Sequence, residues 1–145
     1  LVGLEGLELA LDESGSVRPD ALGNKRLMVL NDTVSESYAR KAFPGASIVE
    51  RELSDNWADA LLTGEVDLAL EDSFSVEMIS KQAAGLQIYG GWIVAPGATT
   101  DASVAVQKDN PALVGRLNAA LAQIRADGTF AKITARYSLQ SAIAP

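Results

Sequence analysis

Short apolar runs alternate with stretches of helical spacing along this chain, and that alternation limits the fold more than any other feature of the sequence. Arg26-Leu27-Met28-Val29-Leu30 is a continuous apolar run of strand length, the pattern of a strand covered on both faces. Asn31, Asp32 and Thr33 then supply helix-capping residues. Val34, Tyr38 and Ala42 follow at four-residue spacing until Pro44 and Gly45 stop the pattern. The cycle recurs. A strand over 48–53 leads to Ser54 or Asp55 as a cap and to Trp57, Ala60 and Leu61 on one helical face, with Gly64 closing the helix. Val66 to Leu70 is the next strand, with Asp67 at its mouth, and Asp72 and Ser73 open a helix carrying Val76, Ile79 and Ala83. Further strands are expected at 7–11, 86–89 and 102–106. Past Asn110 and Pro111, the residues Leu113, Leu117, Leu121 and Ile124 form the stripe of a long helix, and Phe130, Ile133 and Tyr137 mark a shorter one. This order, with its short links, predicts an α/β three-layer sandwich: a mostly parallel five-stranded sheet with helices on both faces.

The totals exclude several classes of function. Hydrophobic residues make up 48% of the 145, enough for a packed core and too many for a disordered chain. The net charge of −7 disfavours binding to nucleic acid phosphates and to anionic membrane surfaces. There is no cysteine and no histidine, which removes thiolate nucleophiles, disulfides and imidazole bases. Ser14, Ser16, Ser73 and Ser75 therefore lack an activating imidazole, and no GxSxG elbow surrounds them. Neither GxxxxGK[ST] nor GxGxxG is present, so no nucleotide cofactor is expected, and no metal site is assigned. Leu1 to Ala10 carries Glu5 and Glu8 and lacks a basic start, so it does not read as a secretion signal. An exported protein would have lost its signal ahead of Leu1.

In open α/β sheets, ligands sit beyond the carboxyl ends of the strands. Two strand-to-helix junctions share that location. One is Asn31-Asp32-Thr33-Val34-Ser35, after the Arg26–Leu30 strand; the other is Glu71-Asp72-Ser73, after the strand ending at Leu70. A helix start offers N–H groups to an anion such as a carboxylate, and a carboxylate at the next strand end takes an ammonium. Asp32, Thr33, Val34, Ser35, Asp72 and Ser73 are the candidate ligand-binding set, and together they could read both charges of an amino acid. A plainer reading stands beside it: Asp, Ser and Thr ahead of a helix are most often caps and nothing more. Glu71 and Asp72 are adjacent, so their side chains diverge and do not flank one bond. Trp57 and Trp92 suit core or hinge packing better than a ligand platform.

The order of segments resembles the amino-acid-type (family 3) extracellular solute-binding proteins of bacteria. Gly23 to Leu30 resembles the family's "LKGKKVGV" strand. Asp32-Thr33-Val34-Ser35-Glu36-Ser37-Tyr38 falls on its GTT-x-E-x-Y turn and helix, and Phe43-Pro44-Gly45-Ala46 on its "FPGA" exit. Ala58 to Asp67 resembles "ALLSGRVDA", and Glu71-Asp72-Ser73 resembles "ADS". Ala102 to Pro111 resembles "YGIAVRKGNP", and Ala126-Asp127-Gly128-Thr129-Phe130-Ala131-Lys132-Ile133 resembles "ADGTYDKI", the most distinctive of the set. The resemblance spans nearly all of residues 7 to 138. It implies a type II periplasmic-binding fold of two lobes joined by a hinge, located in the periplasm or outside the cell. It also implies a small-molecule solute held in the cleft and passed to an ABC-transporter permease or a membrane receptor.

On that resemblance, residues 1–106 form the second lobe, with hinge strands near 7–11 and 102–106. Residues 107–138 are the C-terminal helices that pack on the first lobe, and 139–145 is a tail. The first lobe would lie ahead of Leu1. Either that lobe or a second copy of the chain, in a homodimer, is then expected to cover the stripe of Leu113, Leu117, Leu121 and Ile124, because burying such side chains is worth about 1.5–3 kcal/mol each. Asp32 replaces the family's glycine, which opposes an anionic group there, and Val34 replaces its second threonine, which removes a hydroxyl donor; the two changes favour a cationic or sugar-like ligand, or none at all, over an amino acid. Two alternatives accompany this expectation. One is a ligand-free assembly module on the same fold. The other is an enzyme like the family's dehydratases, with Asp72 or Glu71 as the acid; a non-enzymatic role is the expectation.

Overall fold

A computed structural model of the chain describes residues 1–52, 56–80, 83–93 and 103–137. The run Arg26–Leu30 is strand β2 in a five-stranded sheet. The other strands are β1 (Val2–Leu4), β3 (Ser47–Arg51), β4 (Leu68–Ala69) and β5 (Leu86–Ile88), in the order β3-β2-β4-β1-β5. β2 pairs parallel with both β3 and β4, whereas β1 runs antiparallel to β4 and to β5. The class is α/β as expected. The sheet is mixed, because β1 enters against its neighbours.

The helices of this unit are α1 (Val34–Ala42), α2 (Trp57–Leu62) and α3 (Ser73–Ser80), with a 3₁₀ turn at Pro19–Leu22. They cover both faces, and strand alternation explains why the β2 run has no polar break. Leu27, Val29, Leu68 and Leu70 point to one face and pack with Ala39 and Phe43 of α1 and with Leu22. Met28, Leu30 and Ala69 point to the other face and pack with Trp57, Ala60 and Leu61 of α2 and Val76 of α3. Both strand neighbours of β2 supply buried or half-buried residues to these two layers. β1 slots in because Gly3 has no side chain: a Cβ there would lie 3.0 Å from both the Asp67 carbonyl oxygen and Leu68 Cδ2.

Contacts divide the chain into two compact units, Leu1–Thr100 and Asp101–Pro145. The second holds α4 (Pro111–Ala126) and α5 (Thr129–Arg136). Asn110 caps α4 by accepting the Leu113 N–H at 3.1 Å, and the Asp127 carboxylate accepts the Thr129 N–H at 2.8 Å. The Arg125 guanidinium lies 4.7 Å from the centre of the Phe130 ring, which joins the two helices. α4 has no buried residue, and Leu121, Ile133 and Tyr137 are each about half exposed.

Several expectations change. Residues 7–10 form no strand, and Leu11 makes one isolated bridge to Val17. Asp12 is the reason: its Oδ1 accepts N–H groups from Ser14 (2.8 Å) and Ser16 (3.0 Å), folding the chain into a tight turn, while the Leu7 N–H goes to the Tyr89 hydroxyl. The strand β1 lies earlier, at Val2–Leu4. Residues 103–106 carry no strand. Asn56 caps α2, with its side chain accepting the Ala58 N–H at 3.2 Å. Asp67 stands at the amino end of β4, where Arg26 holds it through Nη2 to Oδ1 at 2.7 Å and through its backbone N–H to Oδ2 at 2.7 Å. Ser54, Asp55, the expected loop at 96–101 and the tail at 139–145 lie outside the described residues. No helix among the described residues is long and apolar enough to cross a membrane.

Candidate functional site

The parallel pairing of β3, β2 and β4 brings their carboxyl ends to one edge of the sheet. Leu30 pairs with Arg51, and Met28 with Ala69, so Glu52, Asn31 and the Glu71-Asp72 step follow one another along that edge. α1 leaves the edge from β2 and α3 leaves it from β4, each toward a different face of the sheet. The two candidate junctions therefore stand at neighbouring strand ends.

At the first junction Asp32 has φ 57, in the left-handed region that Asp tolerates better than most residues. Its N–H donates to Glu36 Oε2 at 2.9 Å. The Thr33 hydroxyl donates to the Leu30 carbonyl at 2.7 Å and accepts the Glu36 N–H at 3.2 Å. Thr33 thus caps α1 through its side chain, and the Glu36 carboxylate reaches back to the N–H of Asp32, one residue ahead of the cap. Glu36 also pairs with Arg40, 2.9 Å away, which holds its carboxyl below the usual range. The hydroxyl of Thr33 is committed to the backbone. What the junction offers outward are the N–H groups of Val34 and Ser35, which a helix start leaves without intrahelical acceptors. Val34 is exposed and Ser35 half-buried.

At the second junction Asp72 is exposed. Its Oδ1 accepts the Ser75 N–H at 2.9 Å and its Oδ2 the Ser75 hydroxyl at 2.7 Å. It is the cap of α3, and each oxygen keeps lone-pair capacity on its outer side. Ser73 is half-buried in the first turn of the same helix.

Three polar atoms along this end of the unit are buried without a hydrogen-bond partner among the described residues: Asn31 Oδ1, Trp57 Nε1 and Glu71 Oε1. Asn31 Nδ2 donates to Glu52 Oε1 at 3.0 Å, so only its carbonyl oxygen is unmatched. Burial pushes the Glu71 carboxyl up to about 7, and the neighbouring Asp72 charge adds to the rise, while the Asp72 N–H donated to Glu71 Oε2 at 3.2 Å opposes it. The candidate set drawn from spacing leaves Glu71 out. The signal was its place in the junction, since Glu71 directly precedes Asp72 after the apolar run that ends at Leu70. Trp57 is 4% exposed and belongs to the core, as its helical position implied. No three carboxylates among the described residues group where a metal could sit.

Comparison with known proteins agrees with this architecture. The family "Bacterial extracellular solute-binding proteins, family 3" matches residues 32–140. The histidine-binding periplasmic protein of Escherichia coli is 30% identical over 139 residues, covering 89% of this chain and 53% of that protein. The ABC transporter arginine-binding protein 1 of the same organism is 32% identical over 114 residues, covering 78% of this chain and 47% of that protein. The chain thus spans about half the length of the curated relatives it matches. Among solved structures, an ancestral arginine-binding protein bound to arginine superposes with a TM-score of 0.70 at 24% identity, over 94% of this chain and 57% of that one. An arginine-specific periplasmic binding protein of Salmonella typhimurium gives 0.72 at 20% identity, over 93% and 57%. The structural likeness establishes the type II periplasmic-binding fold, and the sequence match over most of the chain establishes its membership: this chain belongs to the bacterial extracellular solute-binding proteins of family 3.

Proposed function

We propose that the first unit is one wall of a cleft that captures an amino acid or a related amine-bearing solute outside the cytoplasm, for delivery to an ABC-transporter permease or to a membrane receptor. The carrying observation is the exposed Asp72 carboxylate at the end of β4, one strand away from the helix start of α1. Asp72 takes the ligand's ammonium. The Val34 and Ser35 N–H groups, with Asp32, Thr33 and Ser73 around them, take its carboxylate or hydroxyls. Asp32 adds negative charge beside the α1 start, where a glycine would add none, and so tilts the site toward ligands of net positive charge. The names of relatives that bind histidine or arginine agree with that tilt.

One wall rarely buries most of a small molecule. The facing wall comes from a first lobe outside this chain or from a second copy of it. The half-exposed Leu121, Ile133 and Tyr137 favour a role for the second unit in that assembly, with 107–138 packing on the facing lobe. The same exposed surface supports a second reading, in which the chain is an assembly module that binds no solute.

Isothermal titration with a panel of amino acids, polyamines and opines tests the proposal, using the chain alone and with a family first lobe fused ahead of Leu1. A charge-assisted hydrogen bond is worth about 1.5–3 kcal/mol, so Asp72→Asn is expected to weaken binding of an amine by about 10- to 100-fold. A flat response in both formats, or full affinity in Asp72→Asn, refutes the solute reading. Light scattering separates the two readings, because an assembly module must self-associate or bind a partner without solute.

A further inference from the structure

Glu36 is absent from the candidate set, yet it holds the backbone on which that set depends. Asp32 turns the chain out of β2 with φ 57, and its N–H donates to Glu36 Oε2 at 2.9 Å. The other carboxylate oxygen, Oε1, accepts from Arg40 Nε at 2.9 Å, and Arg40 Nη2 reaches on to Glu50 of β3. A chain of contacts thus runs from the turn at Asp32 through Glu36 and Arg40 to the edge strand. The Glu36 side chain is 21% exposed. Because it folds back to Asp32, its charge lies over the first turn of α1, the turn that carries the Val34 and Ser35 N–H groups. A helix start draws an anion through such unpaired N–H groups and its partial positive charge, and the effect fades beyond that turn. A bare carboxylate in the turn would use the same field and repel a second anion. Asp32 already places one negative charge there, and Glu36 would place another.

We propose that Glu36 and Arg40 are a positioning pair for the solute site: Glu36 holds the left-handed turn from which α1 starts, and Arg40 cancels the Glu36 charge so that the Val34 and Ser35 N–H groups can receive an anionic group. Neither residue touches the solute. Glycine reaches positive φ freely, whereas Asp32 adopts it against a steric cost, and a charged acceptor placed at its N–H offsets that cost. Glu50 draws on the same guanidinium from the side of β3, which keeps Arg40 in one orientation across α1. Among the described ion pairs, Arg18, Arg26 and Arg51 are held by Asp20, Asp67 and Glu65, so Arg40 is the arginine that serves this junction. The pair deepens the solute reading above and rests on it: it lets one site take a ligand's carboxylate at the α1 start while Asp32 and Asp72 keep the edge selective for a positive charge.

Two arms test it. In the ligand-free full chain, Glu36→Ala is expected to speed amide exchange at Asp32 about tenfold, while Glu36→Gln, which keeps an acceptor for that N–H, stays close to the wild type. Exchange unchanged in Glu36→Ala overturns the hold on the turn. The second arm compares L-arginine with agmatine, the same molecule without its carboxylate, by titration of the chain and of its first-lobe fusion. Arg40→Met uncovers the Glu36 charge and is expected to weaken L-arginine binding about threefold to tenfold while agmatine keeps its affinity. Adding Glu36→Gln to Arg40→Met removes the uncovered charge and is expected to restore L-arginine binding, a recovery that a purely structural brace would not show. Equal losses for the two probes, a wild type that binds agmatine as tightly as L-arginine, or a loss that persists in the double variant overturns the charge-cancelling role. If neither probe binds the wild type, the solute reading fails for both and the charge-cancelling role falls with it, while amide exchange at Asp32 still decides whether Glu36 holds the turn.

Discussion

Replacing Glu71 with Gln should change how stability depends on pH, and the direction follows from burial alone. The folded chain holds the Glu71 proton up to about 7, whereas an unfolded chain releases it near the ordinary value of 4.5. The folded state therefore binds more protons than the unfolded state between these values. Stability from this group is fully present below about pH 4.5 and declines as pH rises through about 7. Integrating the linkage relation over that window gives about 3 kcal/mol, and solvent reaching the half-buried carboxyl reduces the expected effect to about 1–2 kcal/mol. Gln keeps the shape and a neutral head group at every pH. Urea unfolding of both proteins at fixed ionic strength, from about pH 4.5 to about pH 8, should thus show the variant gaining about 1–2 kcal/mol on the wild type as pH rises. Carboxyls held low by their partners, such as Asp67 beside Arg26 and Glu36 beside Arg40, lose their contribution as pH falls, but they do so equally in both proteins and cancel in the difference. Parallel curves across the window would show that Glu71 is not held neutral by its surroundings.

Two further substitutions test the packing that positions the sheet edge. Gly90 has φ 71, and a Cβ there would lie 2.7 Å from the backbone N of Val17, so Gly90→Ala should destabilise by about 2–4 kcal/mol, while Gly91→Ala, at φ 67 with open space around it, should cost about 1–2 kcal/mol; thermal melts showing equal losses would refute the close approach. The Tyr89 hydroxyl donates to the Leu4 carbonyl at 2.6 Å and accepts the Leu7 N–H at 3.0 Å, so Tyr89→Phe should lose about 1–2 kcal/mol in urea unfolding and raise amide exchange at Leu7, and unchanged exchange there would count against the tie.

The parts of the fold that were legible in the sequence are those where local spacing and tertiary packing ask for the same thing. β2 with its covering helices could be read because a continuous apolar run can alternate into two separate cores, as Leu27 and Val29 do against Met28 and Leu30. The segment at 7–11 has the alternation of a strand, yet Asp12 binds the N–H groups of Ser14 and Ser16 and a turn wins. β1 was not legible: three residues carry too little pattern, and the feature that places them is the absence of a side chain at Gly3. Asp67 and Asp72 flank the same short strand and look alike in sequence. Register alone separates them, sending one to Arg26 at the amino end and the other to the open edge.

The two non-glycine residues with positive φ sharpen the argument about the site. Asp32 (φ 57) and Asp109 (φ 62) are the two such residues among those described, and both stand where the family pattern quoted above has glycine. The backbone requirement has been kept while the residue has changed. Asp is among the few residues with a side chain that adopt this conformation at modest cost, so substitution by Asp conserves the turn and adds a charge. At Asp109 that charge falls beside the cap of α4. At Asp32 it falls beside the α1 start, next to the N–H groups assigned to the ligand's acidic end. If the turn were all that mattered there, Asp32→Gly would leave solute preference unchanged and Asp32→Asn would behave like the wild type. A site whose selectivity comes from charge behaves otherwise: both variants should gain affinity for neutral amino acids relative to cationic ones, because each removes the same negative charge while keeping a residue that tolerates positive φ. Unchanged preference in both would remove Asp32 from the site and leave Asp72 as the sole acidic determinant.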